Sequence, residues 1–206
     1  MKIKLLFTCA LAALAIAVPQ VRAVEFAGST SVGAGQGFNG TGSSSYEALS
    51  YTTGGFDVFS FPSAPGGTAD IGGTSSQNLG EFTLGTSSSN FNSPATTFSM
   101  TVTFSLPPGA GAGTYSANIT GGVTSPKGTG GALISWTTGP LTFTSSNGTV
   151  FTLVVNNTAV TAGSSSFVTG HIVLLTVPDG GSAVALLGIA LAGIEGLRRK
   201  IGARKA

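Results

Sequence analysis

Phe98, Met100, Val102, Phe104 and Leu106 alternate with Ser99, Thr101, Thr103 and Ser105. A period of two places the five apolar side chains on one face and the hydroxyls on the other, which is the pattern of a half-buried strand. A second signal follows downstream. Leu141–Thr144 and Phe151–Val155 flank Ser145-Ser146-Asn147-Gly148, and an Asn-Gly pair between alternating runs predicts a hairpin with a tight turn. Weaker strands are predicted over Tyr46–Thr53, Phe56–Phe61, Asn78–Leu84, Tyr115–Thr120, Ala132–Thr137 and Phe167–Thr176, each bounded by Gly, Pro, Asn or Ser. The Gly/Ser-rich stretches 28–45, 85–93, 107–113 and 121–131 read as loops, the first as a leader without regular structure. Many short strands with Thr outward and Phe, Val or Leu inward predict an all-β fold, an antiparallel β-sandwich of two sheets, with a barrel as the alternative.

Composition bears on function through where the charges lie. The chain has 206 residues, a formal charge of +2 and only 8% charged residues. Lys2, Lys4 and Arg22 lie at one end, and Arg198, Arg199, Lys200, Arg204 and Lys205 at the other. Between Val24 and Thr176 the only basic residue is Lys127, against Glu25, Glu47, Asp57, Asp70 and Glu81. Nucleic-acid binding requires clustered cations that displace counterions from phosphates, so it is not expected here. The lone Cys9 lies in the first apolar run, which leaves the middle without a disulfide or a Cys-based zinc site.

Lys2 and Lys4 precede an apolar stretch from Leu5 to Val18, and Pro19-Gln20 break it before Val21-Arg22-Ala23. This order is that of a secretory signal peptide over residues 1–23, with an N-terminal signal helix and cleavage after Ala23 by signal peptidase once the secretion machinery has engaged it. As a helix the stretch rises only about 21 Å, short of a bilayer core. Lipidation at Cys9 is disfavoured, because the apolar run continues past it to Val18.

The other end is tripartite. Val177-Pro178-Asp179-Gly180-Gly181-Ser182 leads into AVALLGIALAGIEGL, which Arg198-Arg199-Lys200 close. Pro178 and the glycines keep the short motif out of strand and helix, so it is expected to be extended and accessible to an enzyme that grips backbone. As a helix, Gly181–Leu197 would be about 25 Å long, the lower limit for a transmembrane span. The basic stop would hold its own end in the cytoplasm, leaving the middle of the chain outside. Glu195 interrupts the apolar stretch, but Arg198 and Arg199 follow at three and four residues, on the same helical face, where they can pair with it at the interface.

This tail resembles the C-terminal sorting signal of exosortase substrates, the PEP-CTERM class, and specifically the variant whose motif reads VPDSG. It departs from that variant at Gly180, where Ser is usual, and at Glu195, where an apolar residue is usual. The resemblance implies that a membrane exosortase cuts near the motif and transfers the protein to a surface or extracellular carrier, in gram-negative bacteria that make exopolysaccharide. The alternative is a plain anchor that is never cut. The expected organisation is therefore a signal peptide (1–23), a β-sandwich domain (24–176) and a C-terminal sorting signal (177–206). LGEFTLGT, NFNSPATTFSMTVTFSLPPG and LTFTSSNGTVFTLVVNN are loosely similar to the sandwich domains that accompany such tails, a likeness that carries over no functional residue.

Catalytic constellations are sparse. His171 is the only histidine and lies in a predicted strand, so a Ser-His-Asp relay would rest on it alone. Glu47, Asp57, Asp70 and Glu81 supply carboxylates with no spacing that fixes two across a cleft. Asp57 or Asp70 with loop carbonyls could bind calcium, yet there is no EF-hand or Asp-rich repeat. Gly33, Gly35 and Gly37 mimic a phosphate loop but lack its Lys and its flanking strand and helix. No enzyme, no cofactor and no metal site are expected. Trp136, Tyr46, Tyr51 and Tyr115 would stack on sugar rings if exposed together. The expected function is that of a structural or adhesive protein, anchored in a membrane as a precursor and then moved to the cell surface or extracellular matrix. The alternative is a carbohydrate-binding module for extracellular polysaccharide.

Overall fold

A computed structural model describes residues 23–61, 64–93, 95–124, 127–177 and 188–194. The chain first lays down β1 (Glu25–Ser31), β2 (Gly37–Phe38), β3 (Ser45–Tyr46), β4 (Leu49–Thr52) and β5 (Gly55–Phe59). β6 (Thr68–Ile71), β7 (Glu81–Leu84) and β8 (Ser89–Asn90) follow, then the long pair β9 (Thr96–Leu106) and β10 (Gly111–Thr124). β11 (Thr129–Trp136), β12 (Leu141–Thr144), β13 (Val150–Val155), β14 (Thr158–Thr161), β15 (Ser164–Phe167) and β16 (Gly170–Thr176) complete the set. Arg22–Val177 form one compact unit.

All strand pairings are antiparallel, and they make three sheets rather than the two expected. The largest runs β14-β11-β10-β9-β1-β5, with β2 on β9 and β8 on β10; the others run β12-β13-β16-β6 and β15-β7-β4-β3. One face of the large sheet meets both small ones. Phe26 and Phe104 pack on Phe151 at 4.8 and 4.9 Å between ring centroids, while Phe98 packs on Tyr51 and Phe82 at 4.7 and 5.1 Å. The covering layer is split because the chain changes sheets at Val168 and Thr169, between β15 and β16. There Val168 donates its N–H to Gly80 O (2.7 Å) and accepts that of Leu79 (2.8 Å). The single strand predicted over 167–176 is thus divided between two sheets.

β9 alternates as its sequence dictates. Phe98, Met100 and Val102 are fully buried and Phe104 nearly so. On the opposite face, hydroxyls pair across strands, Ser99 with Ser116 and Thr101 with Thr114, each 3.1 Å apart. The hairpin of β12 and β13 also forms, closed at Ser145, whose N–H donates to Thr149 O at 2.9 Å. Its turn places Gly148 at φ 84°, a left-handed conformation that glycine adopts without steric cost. Asn147 Oδ1 accepts the Thr149 N–H at 3.1 Å and so braces the turn.

Residues 28–45 are not a leader. Gly28 sits in β1, between β9 and β5, and a Cβ there would lie 2.4 Å from Thr103 O and 2.7 Å from the Phe56 ring. Glycine is required by close approach, a use of the residue in strands that composition alone does not separate from a loop. The strand predicted over 46–53 is interrupted by a turn at Glu47, which takes φ 52° while its carboxylate accepts the Asn90 N–H at 2.8 Å.

Two tyrosines carry their hydroxyls into the core. Tyr115 donates to Leu153 O at 2.9 Å, which joins the large sheet to β13. Tyr51 donates to Leu79 O at 2.6 Å and lies 2.9 Å from Thr30 Oγ1. Burial pushes both phenols above their usual range; hydrogen bonding opposes the shift, for Tyr51 through Thr30. Tyrosine in the unfolded chain ionises near pH 10, so only the unfolded form loses protons just above that pH and stability must fall there. Alkaline titration followed by circular dichroism is expected to show the melting midpoint declining above about pH 10. The decline should be shallower in Tyr51→Phe and Tyr115→Phe, and an unchanged slope in both variants would contradict this account.

Candidate functional site

Two places on the chain are functional by the sequence reading, its two ends. At the first, Ala23 is exposed immediately before β1. The Ala23–Val24 bond therefore precedes every described strand of the domain, and cutting it removes none of the described pairing. The signal helix expected within residues 1–22 lies outside the described residues.

At the second, Thr176 pairs with Val150 and ends β16, and the half-buried Val177 packs on the core. Of the expected sorting motif only Val177 is described; Pro178, Asp179, Gly180, Gly181 and Ser182 lie outside, as do Glu195 and the basic stop Arg198, Arg199 and Lys200. Residues 188–194 are helical, with Ile189, Leu191 and Ile194 exposed at 39%, 58% and 64%. Among the described residues no helix is long and apolar enough to cross a membrane.

The residues weighed for catalysis are dispersed. His171 on β16 stands opposite Asp70 on β6 and Val154 on β13. Asp57 lies on β5, Glu81 begins β7, and Glu47 is engaged by the Asn90 amide. Among the described residues no group of three or more His, Cys, Asp or Glu side chains could hold a metal ion. Gly33 and Gly35 belong to the turn after β1, where Gln36 Nε2 reaches Thr114 Oγ1 at 3.3 Å and also bonds Thr101.

The four aromatic residues considered for sugar stacking do not share an exposed face. Tyr115 and Tyr51 are buried, Tyr46 stacks on Phe38, and Trp136 packs edge-on to Phe98 with its indole N–H turned inside. A shallow depression of about 500 Å³ lies elsewhere, lined by Thr120, Leu133, Thr161, Ser164 and Ser166 among others. Its named walls are hydroxyls and short aliphatic groups, with no aromatic platform and no charge.

Residues 176–201 match the family model described as the VPDSG-CTERM motif, a C-terminal sorting signal of the PEP-CTERM type. No curated protein and no solved structure gives a match. A signal of this type implies an exported precursor, associated with a membrane and processed by an exosortase.

Proposed function

We propose that this chain is a non-catalytic surface or matrix protein: signal peptidase frees its start, an exosortase releases its end, and the β domain then serves a structural or adhesive role outside the cell. The observation that carries the reading is the sorting signal matched at residues 176–201, immediately behind a domain whose last strand ends at Thr176. The domain itself supports it. Rows of Ser and Thr hydroxyls on the outer face of β9 and β10 form a neutral, hydrogen-bonding surface suited to a hydrated polysaccharide matrix. In this reading Gly181–Leu197 spans the membrane until the motif is cut, with Arg198, Arg199 and Lys200 on the cytoplasmic side.

Mass spectrometry of the mature protein from the producing cell is the direct test. The expected species begins at Val24 and ends within or close to Val177–Ser182. Recovery of delivered protein that still ends at Ala206 would overturn processing and leave a plain anchor. The alternative, a carbohydrate-binding module, has less support, because Tyr51 and Tyr115 are buried and of the four aromatic residues only Tyr46 and Trp136 are partly exposed.

A further inference from the structure

Both ends of the β domain leave it at one pole. Val24 and Ser60 are joined by two hydrogen bonds: Val24 N–H donates to Ser60 Oγ (3.2 Å), and Ser60 N–H to Val24 O (2.9 Å). Phe61 N–H donates to Thr68 O (2.9 Å), and Gly66 N–H donates to Leu174 O (2.7 Å). This chain of contacts links the start of β1 to the last residues of β16. The turn between β9 and β10 joins the same pole, since Ser146 N–H donates to Pro108 O at 2.9 Å beside the end of β16.

The pole gathers most of the exposed large apolar side chains of the domain. Among the described residues of the domain the large hydrophobic side chains that stand exposed are Phe59 (58%), Phe61 (85%), Leu175 (43%) and Leu133 (45%). The first three belong to this pole, with the half-buried Val24 and Val177 beside them. Lys127, the one basic residue between Val24 and Thr176, lies in the turn between β10 and β11, toward the opposite pole. Glu25 stands opposite Phe59. The surface therefore offers hydrophobic contact without attraction for anionic headgroups.

From these facts we infer that the Phe59, Phe61 and Leu175 pole seats in the interfacial region of the bilayer that anchors the precursor. The inference rests on the reading of the chain as a membrane-anchored precursor. Only residues 178–182 separate Val177 from the apolar stretch that begins at Ala183. Fully extended, that connection spans at most about 20 Å, so the pole cannot leave the neighbourhood of the headgroups while the tail is inserted. Phe and Leu side chains gain by burying their apolar surface at the headgroup and acyl boundary. Seating the pole there would also bring the exit at Val177 to the membrane surface, where a membrane enzyme works.

The test uses the precursor as signal peptidase would leave it, Val24–Ala206, in phosphatidylcholine vesicles containing brominated lipid, with Trp136→Phe as background. Indoles introduced by Phe61→Trp and, as a control, by Leu133→Trp report lipid contact, and matching melting midpoints certify that both variants fold. Flotation with the vesicles reads anchoring separately. The expected result is co-flotation, loss of about half the emission for Phe61→Trp, little loss for Leu133→Trp, and no change in high salt. Co-flotation with equal, weak quenching at both positions would overturn the seated pole and leave anchoring intact. Failure to float would overturn both. An emission from Phe61→Trp that is shielded from aqueous quencher in a detergent-solubilised dimer would assign the patch to a second copy of the chain instead. Amide exchange of the unsubstituted chain is an independent reading: residues 59–61 and 174–176 should slow on vesicles relative to detergent while 129–133 do not, and equal exchange in both would overturn the inference.

Discussion

Replacing Phe98 with alanine is expected to lower stability by about 3–5 kcal/mol, the usual cost of removing a buried aromatic ring and leaving its cavity. Phe98 is fully buried on β9. Its ring centroid lies 5.0 Å from Phe38, 4.7 Å from Tyr51, 5.1 Å from Phe82 and 6.3 Å from Trp136. Those four rings come from β2, β4, β7 and β11, so one side chain joins the large sheet to the β15-β7-β4-β3 sheet. Aromatic pairs of this kind add to area burial through edge-to-face contact. For a domain of this size each kcal/mol moves the midpoint by roughly 2–4 °C, so a fall of about 10 °C is expected in a thermal melt. Phe98→Leu should lose less, and Phe59→Ala, on the exposed pole, should lose almost nothing. A Phe98→Ala midpoint within 2 °C of the unsubstituted protein, a roughly threshold value on the same scale, would contradict the packing described for this ring.

Ending the chain at Val177 is expected to shift it completely from the membrane fraction to the soluble exported fraction while leaving the melt of the domain unchanged. The physical basis is that β16 ends at Thr176 and that, among the described residues, Val177 is the last one packed on the core. No described strand loses a partner. What is lost is the apolar stretch from Ala183 and the basic stop of Arg198, Arg199 and Lys200, which in the proposed function supply the free energy of insertion and its direction. Fractionation with carbonate extraction and a thermal melt of the shortened chain test the two halves of the statement. Retention in the carbonate-resistant pellet would show that anchoring does not depend on the tail. A midpoint lower by several degrees would show that the domain needs residues beyond 177.

The strands legible in the sequence were those whose burial is one-sided. Phe98–Leu106 and the hairpin around Asn147-Gly148 form where periodicity and turn chemistry place them, because one face meets the core and the other meets water. The strands missed were those without that contrast. Gly28 and its neighbours in β1 are selected for backbone approach to Thr103, which looks identical to loop composition. β10 extends to Gly111 and Thr124 through glycines read as loop, since pairing to β9, β8 and β11 carries it past the alternating segment. The breaks at Glu47 and at Val168–Thr169 depend on tertiary hydrogen bonds, from Asn90 and with residues 79–80, that no local window contains. Sheet number followed from the second of these breaks. The class of the sorting tail, by contrast, was legible, because a motif, an apolar stretch and a basic stop are read by composition and order alone, and residues 176–201 match the VPDSG-CTERM model.

The length pattern of the large sheet bears on whether copies of the domain can join edge to edge. Its interior strands β9 and β10 run 11 and 14 residues, whereas the border strands β14 and β5 run only 4 and 5. A neighbouring molecule that sought to continue the ladder of this sheet would find only a short template at either border, which blunts edge-on pairing there.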